Sequence, residues 1–528
     1  MKKRSKDEIV KSKKFQSFMK KFLFSRLVLF GLILLFQLAL YVLFILWLNS
    51  YVHLLLGSNV LIIFIFMIIL ANSNGKNEFK IAWLVPVSIF PIFGVAMYLL
   101  YHTNGGGKKT KKRLLYLKKK TESFLPDKST YSQKIEKYPE IKGITNFLIN
   151  SDNFYPSYDS KVTYFKNGET FFSEFIAHLE QAKKFIFIEF FIIELDESWE
   201  EILSVLERKV AEGVEVRVLY DAIGSVMASS KFYVDYLKSK GIKAQVFLPL
   251  FPVFSTQQNN RDHRKIVVID GKVGYTGGLN VSNEYFNKEQ KRFNYWKDNA
   301  IRIEGSAIRT FVLMFLQTWN ISKKKSDNFQ YYIESCDTSN TDEKESGVII
   351  PYGDDAYNNQ DLAENIYLHI LDNAKEYVHI TTPYVLIDNQ LSETLIFAAN
   401  RGVDVSIIVP AVPDHFVTFC MGRVFIKKLI DNGVKVYEYK KGFIHAKTFV
   451  SDDKIATIGS VNLDYRSLYH HFECGALLYD KPCINDIKKD LQEVIDFDCK
   501  EFTQQSYKEV PWYGRFLGRV FKVFAPLM

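Results

Sequence analysis

Hydrophobic and polar residues are distributed in two contrasting ways along this chain. Residues 27–75 contain no Lys, Arg, Asp or Glu, and a further apolar stretch runs from 81 to 101. Beyond about residue 150, short apolar runs alternate with amphipathic segments. The uncharged run is 49 residues long, more than twice the ~20 apolar residues that a bilayer-spanning helix needs. We therefore predict a helical membrane region over 27–101, with spans at about 27–48 and 53–71.

The third apolar stretch, 81–101, is less regular, because it holds Pro86, Pro91 and Gly94, which weaken a straight helix. Basic residues flank the whole region: 1–26 has ten Lys and Arg against two acids, and 102–120 has eight and no acid. Basic flanks stay on the cytoplasmic side of a membrane. This favours two spans, a broken or interfacial third segment and a cytoplasmic body. Three full spans would instead separate the two basic clusters.

Charge and cysteine content argue against several classes of function for this chain. The net charge is +9, but residues 1–120 carry +17, so residues 121–528 carry −8. An acidic body argues against a nucleic-acid partner, and the basic flanks suit anionic lipid headgroups. Five scattered cysteines offer neither a disulfide framework nor zinc spacing. The stretch 102–149 is predicted to be a basic linker and lead-in, with a flexible glycine- and lysine-rich part at 104–112.

One alternating pattern occurs twice in the rest of the chain. Each copy has three apolar runs, at 183–193, 212–221 and 239–247 in the first and at 375–385, 401–410 and 431–439 in the second. Helix-like segments separate these runs, and strand, helix, strand order is typical of an α/β fold with a parallel-type sheet. We predict two similar α/β halves, 150–334 and 347–500, which form one catalytic body and are joined by a polar linker at 335–346.

The two halves also share a motif that carries chemistry. Both copies read H-x-K-x-x-x-x-D and continue to an asparagine, with 182 residues between matching positions. The members are His263, Lys265, Asp270 and Asn280 in the first half and His445, Lys447, Asp452 and Asn462 in the second. A single H-x-K on a strand is usually a chance pair, but four positions that recur at one offset indicate a duplicated site.

The spacing predicts a geometry. Residues i and i+2 of a strand project from the same face, so each His projects with its Lys. Each Asp falls where a hairpin would turn. Folding back would place Gly278 and Asn280 beside the first histidine, and Ser460 and Asn462 beside the second. Two facing patches of imidazole, ammonium and carboxamide suit a phosphodiester, which Lys and Asn would hold for the histidines. A metal site is the weaker alternative, because each Lys would repel a cation and no third ligand is suitably spaced.

The duplicated motif resembles that of the phospholipase D superfamily, and its combination with an apolar N-terminus resembles the bacterial cardiolipin synthase family. Further strings match that family over nearly the whole chain: LYDAIGS at 219–225, TGGLN at 276–280, TTPYVL at 381–386, GSVNLDYRS at 459–467 and APLM at 525–528. The segment at 352–355 departs from the family's wording, so no role is transferred to it.

The resemblance implies two phospholipase D-type halves and transfer of a phosphatidyl group between two phosphatidylglycerol molecules, giving cardiolipin and glycerol without a metal or other cofactor. It implies that both H-x-K-x-x-x-x-D sets are catalytic, with His263 as the nucleophile and His445 as general acid and then base. Glu473 is the candidate acidic partner of a nucleophilic histidine, and Asp298 resembles its equivalent in the first half. The implied partners are membrane phospholipids at the cell membrane. A phospholipase D that uses water and a nuclease of the same superfamily remain alternatives.

The C-terminal segment, 501–528, is predicted to be amphipathic. Its apolar residues and its basic ones, Arg515, Arg519 and Lys522, recur at helical spacing. A basic amphipathic helix suits an anionic lipid surface. The alternative is a helix that packs on the catalytic body.

Overall fold

The computed structural model describes residues 52–102, 105–126, 128–249, 259–290, 292–323, 325–336, 346–358 and 360–528, together with isolated positions between 35 and 46. The predicted basic segment 1–26, nearly all of the predicted span 27–48, and most of the predicted linker 335–346 therefore lie outside the described residues. The chain divides into two compact units, which are described separately below.

The smaller unit comprises the described residues up to 107 together with 523–528. Its helices are α1 (Val52–Ala71), α2 (Asn77–Ile89) and α3 (Pro91–His102), and a short 3-10 turn covers Ala525–Leu527. Phe66, Leu70, Trp83 and Val87 form a small core, against which Leu527 packs. No helix in the described part of the chain is both long and apolar enough to cross a membrane.

The third apolar stretch is broken into two helices. Helix α2 ends at Ile89, and α3 starts at Pro91, because a residue that precedes proline is disfavoured in the helical region. Gly94 then allows the two helices to approach closely: a Cβ there would lie 2.6 Å from the Cα of Val87.

The predicted flexibility of the basic stretch after residue 104 is wrong. Helix α4 covers Gly105–Thr121, since the sequence beyond its glycines is rich in Lys, Leu and Arg, which are strong helix formers. Leu114 and Leu117 are buried. Residues 108–121 of α4 belong to the larger unit, within which Lys118 donates hydrogen bonds to Asp152 at 2.5 Å and Asp355 at 2.8 Å.

The larger unit, 108–249 and 259–522, holds two mixed sheets. The first has the order β1-β8-β6-β5-β2-β3-β4. Its strands are β1 (Lys161–Phe165), β2 (Phe185–Phe190), β3 (Glu215–Asp221), β4 (Lys243–Phe247), β5 (Ile266–Ile269), β6 (Val273–Gly277) and β8 (Ala300–Glu304), with the short β7 (Trp296–Lys297) outside the sheet. The accompanying helices are α5 (Lys128–Ile135), α6 (Pro139–Asp152), α7 (Gly168–Glu180), α8 (Glu197–Ala211), α9 (Lys231–Ser239), α10 (Ile308–Trp319) and α11 (Gln330–Glu334).

The second sheet has the order β19-β13-β12-β10-β15-β16-β18-β9. Its strands are β9 (Val348–Asp354), β10 (Tyr377–Thr381), β12 (Asp404–Pro410), β13 (Lys435–Tyr439), β15 (Thr448–Ser451), β16 (Ile455–Gly459), β18 (Glu473–Tyr479) and β19 (Cys499–Glu501), with β11 (Val385–Leu386), β14 (Phe443–Ile444) and β17 (Leu463–Asp464) outside it. Its helices are α12 (Leu362–Asn373), α13 (Asn389–Asn400), α14 (Phe416–Ile430), α15 (Tyr465–Tyr469), α16 (Cys483–Glu493), α17 (Gln504–Glu509) and α18 (Trp512–Lys522).

The two sheets repeat one topology. The predicted trio of parallel strands is β2-β3-β4 in the first sheet and β10-β12-β13 in the second. In both sheets an antiparallel hairpin pairs with the first strand of the trio, β5-β6 with β2 and β15-β16 with β10. The sheets are therefore mixed rather than purely parallel. Every residue of β2 and β10 is buried, as expected for central strands that are covered on both faces.

The C-terminal helix α18 packs on the larger unit, as the alternative interpretation of the sequence expected, and its contact with a lipid surface stays a prediction. One face packs on α14 through Gly514 and Gly518; a Cβ on Gly518 would lie 2.3 Å from the carbonyl oxygen of Cys420. The opposite face leaves Trp512 73% and Phe516 58% exposed.

Candidate active site

The two motif histidines come immediately before β5 and β15, where each half pairs with the other. The N–H of His263 donates to the carbonyl of Phe472 at 2.9 Å, and the N–H of His445 donates to the carbonyl of Lys297 at 2.7 Å. Short parallel pairings surround both bonds: Asp262 bridges to Phe472, and β14 pairs with β7. Each histidine is thus fixed by main chain from the opposite half of the repeat.

This main-chain pairing brings each histidine to a carboxylate of the opposite half. Phe472 directly precedes Glu473, and the oxygens of Glu473 lie 2.9 and 3.0 Å from Nδ1 of His263. Asp298 follows Lys297, and its Oδ2 lies 2.7 Å from Nδ1 of His445. The acidic partners are therefore crossed between the halves.

The two carboxylates occupy equivalent positions although their sequence spacing differs. Gly277 pairs with Ala300 between β6 and β8, and Gly459 pairs with Gly475 between β16 and β18. Asp298 and Glu473 each stand two residues before that partner. The extra residues between the motif and Asp298 form a longer connection that leaves the strand register intact.

The residues after β6 and β16 fit the two carboxylates. A Cβ on Gly278 would lie 2.1 Å from Oδ1 of Asp298, so only glycine leaves room there. In the second half, the Oγ of Ser460 donates a hydrogen bond to Oε2 of Glu473. Both positions were singled out in the sequence, and both support the acid that orients a histidine.

Burial sets the charge of the paired groups. It lowers the pKa of His263 to about 3 and that of His445 to about 4, so both imidazoles are neutral near pH 7. Burial alone would raise the pKa values of Glu473 and Asp298, but their histidine partners hold both below the usual range. Each neutral ring therefore donates its Nδ1–H to an ionised carboxylate and keeps the Nε2 lone pair free.

The two motif lysines are buried close to these rings. Lys265 donates from Nζ to the carbonyl of His263 at 2.5 Å, and Lys447 donates in the same way to the carbonyl of His445. Burial lowers the pKa of Lys265 to about 8 and that of Lys447 to about 7. Since buried ammonium groups are costly without an anion, this arrangement favours the binding of a phosphate.

Comparison with known proteins identifies the family of this chain. The family profile "Cardiolipin synthase, PLD-like domain" matches residues 175–308 and 367–495. A cardiolipin synthase of Geobacillus kaustophilus is 32% identical, with 88% of this chain and 92% of that protein covered. The chain belongs to the cardiolipin synthase family. It is a phosphatidyltransferase of the phospholipase D type.

Two further comparisons extend this result. An uncharacterized protein of Streptococcus mutans serotype c is 42% identical, with 87% of this chain and 98% of that protein covered. The crystal structure of phosphatidylserine synthase from Haemophilus influenzae Rd KW20 has a TM-score of 0.54 at 18% identity, and the match covers 73% of this chain and 99% of that one. At this identity the likeness shows the fold alone.

The two motif aspartates, which the sequence predicted to be catalytic, accept hydrogen bonds from backbone N–H groups at the start of the first strand of each trio. Asp270 has a φ of 55° and accepts hydrogen bonds from the N–H groups of Lys183, Lys184 and Phe185 at 2.7, 2.6 and 2.9 Å. Asp452 has a φ of 51° and caps the start of β10 in the same way, at residues 375–377. We therefore assign both a structural role: each aspartate links its hairpin turn by hydrogen bonds to the start of a central strand, β2 for Asp270 and β10 for Asp452.

The motif asparagines have unequal surroundings. Asn280 accepts a hydrogen bond from the N–H of Ile192 at 3.1 Å and donates one to the hydroxyl of Tyr285 at 2.9 Å. The ring of Tyr285 lies 5.5 Å from that of His445. Oδ1 of Asn462 is buried without a hydrogen-bond partner within the described residues. The repeat is therefore asymmetric at this position.

His471 is a site residue that the sequence analysis missed. Its ring lies 5.6 Å from that of His263, and its Nδ1 lies 3.6 Å from Oε1 of Glu473. The available signal was its position two residues before Glu473, in the string HHFE, at the edge of β18. It has no counterpart in the first half, where the corresponding position is held by Trp296.

Proposed function

We propose that this enzyme makes cardiolipin by transferring the phosphatidyl group of one phosphatidylglycerol to a second, with release of glycerol. The observation that carries the proposal is the pair of buried, neutral histidines, each oriented by a carboxylate of the other half and flanked by a buried lysine. Two such groups match a reaction in which one phosphodiester bond is exchanged for another without net oxidation or loss of water.

In the first step Nε2 of His263 attacks the phosphorus, an N–P bond forms, and the bond between phosphorus and the glycerol oxygen breaks. His445 gives that oxygen a proton. The anionic phosphodiester beside His445 favours its imidazolium form, so the ring takes up a proton from solvent at Nε2 when the substrate binds. Lys265 and Lys447 hold the non-bridging oxygens as charge develops on them.

In the second step the released glycerol makes way for the headgroup hydroxyl of a second phosphatidylglycerol. His445, now neutral, accepts the hydroxyl proton at Nε2. The resulting oxygen nucleophile attacks the phosphorus, the N–P bond breaks, and His263 is regenerated. Each ring has an equivalent carboxylate partner, so the geometry does not distinguish the nucleophile from the acid and base. The assignment of His263 as the nucleophile therefore rests on the resemblance to the superfamily.

We further propose that the enzyme works at the cell membrane, on the lipid surface itself. The uncharged run at 27–75 supports membrane insertion of the N-terminal region, and its basic flanks support a cytoplasmic body. On α18, the exposed Trp512 and Phe516 lie on a helix that carries Arg515 and Arg519. Aromatic and basic groups on one helix suit an anionic lipid interface.

Incubation of the purified enzyme with phosphatidylglycerol vesicles tests the proposal. With EDTA present and no nucleotide, we expect equimolar cardiolipin and free glycerol. Formation of phosphatidic acid alone would favour the hydrolase that uses water. A requirement for a CDP-linked lipid would contradict the mechanism.

A further inference from the structure

His471 has no role in the proposed reaction, yet it lies beside two residues that do, His263 and Glu473. One donor atom each of His263, His471 and Glu473 lies within 4.8 Å of the others, and all three residues are buried. We propose that these residues form an inhibitory binding site for a divalent transition-metal ion such as Zn²⁺. The sequence disfavoured a metal site because neither half has a third ligand at a suitable spacing. In the structure, strand pairing between the halves brings His471 and Glu473 of the second half to His263 of the first.

The donor set and its geometry fit zinc. Two imidazoles and one carboxylate are a recurrent zinc ligand set that leaves a fourth position open, with metal–ligand bonds of about 2.0–2.2 Å. Tetrahedral bonds of that length place donors about 3.3 Å apart. In the structure Oε1 of Glu473 lies 2.9 Å from Nδ1 of His263 and 3.6 Å from Nδ1 of His471. Mg²⁺ and Ca²⁺ prefer all-oxygen sites and fit poorly.

The hydrogen bonding of His471 points in the same direction. Both its ring nitrogens are buried, and the residue is only 9% exposed. Within the part of the chain that the structure describes, Nε2 has no hydrogen-bond partner, and Nδ1 lies 3.6 Å from Oε1 of Glu473, just beyond hydrogen-bond distance. A buried polar side chain is normally satisfied. A bound ion would be ligated by one of these two nitrogens. The neighbouring Lys265 opposes a second cation, and the charge of Glu473 offsets that opposition, which suits a reversible ligand better than a resident one.

Binding of the ion would inhibit the enzyme because it would make His263 a poor nucleophile. The ion would bind the Nδ1 lone pair of His263, so the proton of the neutral ring would move to Nε2, and the ion would also take over the carboxylate that orients the ring. It would also withdraw electron density from the imidazole, whose Nε2 could then no longer attack phosphorus effectively. This consequence rests on the proposed role of His263, whereas the binding itself does not.

Cobalt provides a readout that is independent of activity. The full-length enzyme, purified in detergent and stripped with EDTA, is titrated with CoCl₂. We expect a visible absorption band of low-symmetry Co²⁺ at one equivalent, without the near-ultraviolet band of a cobalt–thiolate bond. The His471→Asn and His471→Gln variants should lose the band, whereas His379→Asn, a change of a buried histidine on β10, should keep it. Absence of the band in the wild type, or its persistence in both His471 variants, would overturn the site.

Inhibition is measured separately, as the ratio of activities with and without metal. ZnCl₂ should inhibit turnover of phosphatidylglycerol, EDTA should reverse the inhibition, and MgCl₂ should have no such effect. His471→Asn should raise the half-inhibitory Zn²⁺ concentration by about ten-fold or more, because it removes a ligand. Equal inhibition of the wild type and the variant would refute the inhibitory role. If cardiolipin synthesis itself were not observed, the cobalt titration would still decide the binding site.

Discussion

The carboxylate of Glu473, in the second half of the repeat, accepts the Nδ1–H of His263, in the first half, at 2.9 Å. Asp298 and His445 repeat this relationship in the opposite direction at 2.7 Å. Neither half therefore contains a complete catalytic dyad. The duplicated fold acts as one site because each half orients the reactive group of the other.

This crossed pairing predicts the effect of Glu473→Gln. The amide cannot supply the negative charge that orients and stabilises the His263 ring, so kcat should fall by about 10²–10⁴-fold. Asp298→Asn should have an effect of the same order. Steady-state cardiolipin synthesis measures both, with Glu201→Gln on exposed α8 as the matched control. Near-normal activity of Glu473→Gln would mean that the pairing has no catalytic role.

Gly278 should tolerate no side chain. Because a Cβ there would lie 2.1 Å from Oδ1 of Asp298, Gly278→Ala should push that carboxylate away from His445 and reduce kcat by about 10²–10⁴-fold, as Asp298→Asn does. Gly143→Ala on α6 is the control, since a Cβ there meets nothing within 4 Å. An active Gly278→Ala variant would contradict the positioning role of this glycine.

Asp270→Asn should separate structure from catalysis. The change weakens hydrogen bonds to three backbone N–H groups and should cost about 1–3 kcal/mol of unfolding free energy. The folded variant should keep a kcat close to that of the wild type. Thermal unfolding and turnover measured on the same sample distinguish the two roles. An inactive variant with unchanged stability would restore Asp270 to the catalytic set.

We expect the buried Lys447 to lower the free energy of unfolding near pH 7 and to be needed for catalysis. Burial lowers its pKa to about 7 from 10.5, so the unfolded chain binds more protons than the folded chain between these values. Its contribution to stability therefore becomes more favourable as the pH rises from about 7 to 10.5. Lys447→Met should lose about 10²–10³-fold in kcat and be at least as stable as the wild type at pH 7. Its stability advantage should shrink towards pH 10; an advantage that grows with pH would reverse the sign and contradict the account.

The exposed face of α18 predicts a dependence on the form of the substrate. Phe516→Asp should lower activity on phosphatidylglycerol vesicles and leave activity on a short-chain, monomeric phosphatidylglycerol nearly unchanged, because only the former requires insertion into an interface. Phe232→Asp changes a similarly exposed phenylalanine on α9 and serves as the control. Equal losses on both substrates would indicate a folding defect or a direct role in catalysis.

Much of the fold and of the candidate site could be predicted from the sequence. The α/β repeat follows from the periodicity, both H-x-K pairs from their constant offset, and the acids Asp298 and Glu473 from the family resemblance. The sequence could not pair the acids with the rings. The hydrogen-bonded residues are 210 and 147 positions apart, and only the register between strands of different halves decides which acid meets which ring. His471 could not be predicted for the same reason, because its ring approaches that of His263 only when the two halves pair. Asp270 and Asp452 lie at the hairpin turns that the sequence predicted for them, and their place in the catalytic set stays a prediction.

The central claim is that His263 is the nucleophile and His445 moves protons. A histidine that only moves protons can be bypassed when the leaving group needs no protonation, whereas a nucleophile cannot. The most direct measurement is therefore single-turnover reaction with a phosphatidyl nitrophenyl ester, followed by identification of the phosphorylated residue. His445→Ala should release nitrophenol and accumulate a phosphatidyl group on His263, and His263→Ala should do neither. Nitrophenol release by His263→Ala, with a phosphatidyl group trapped on His445, would contradict the assignment.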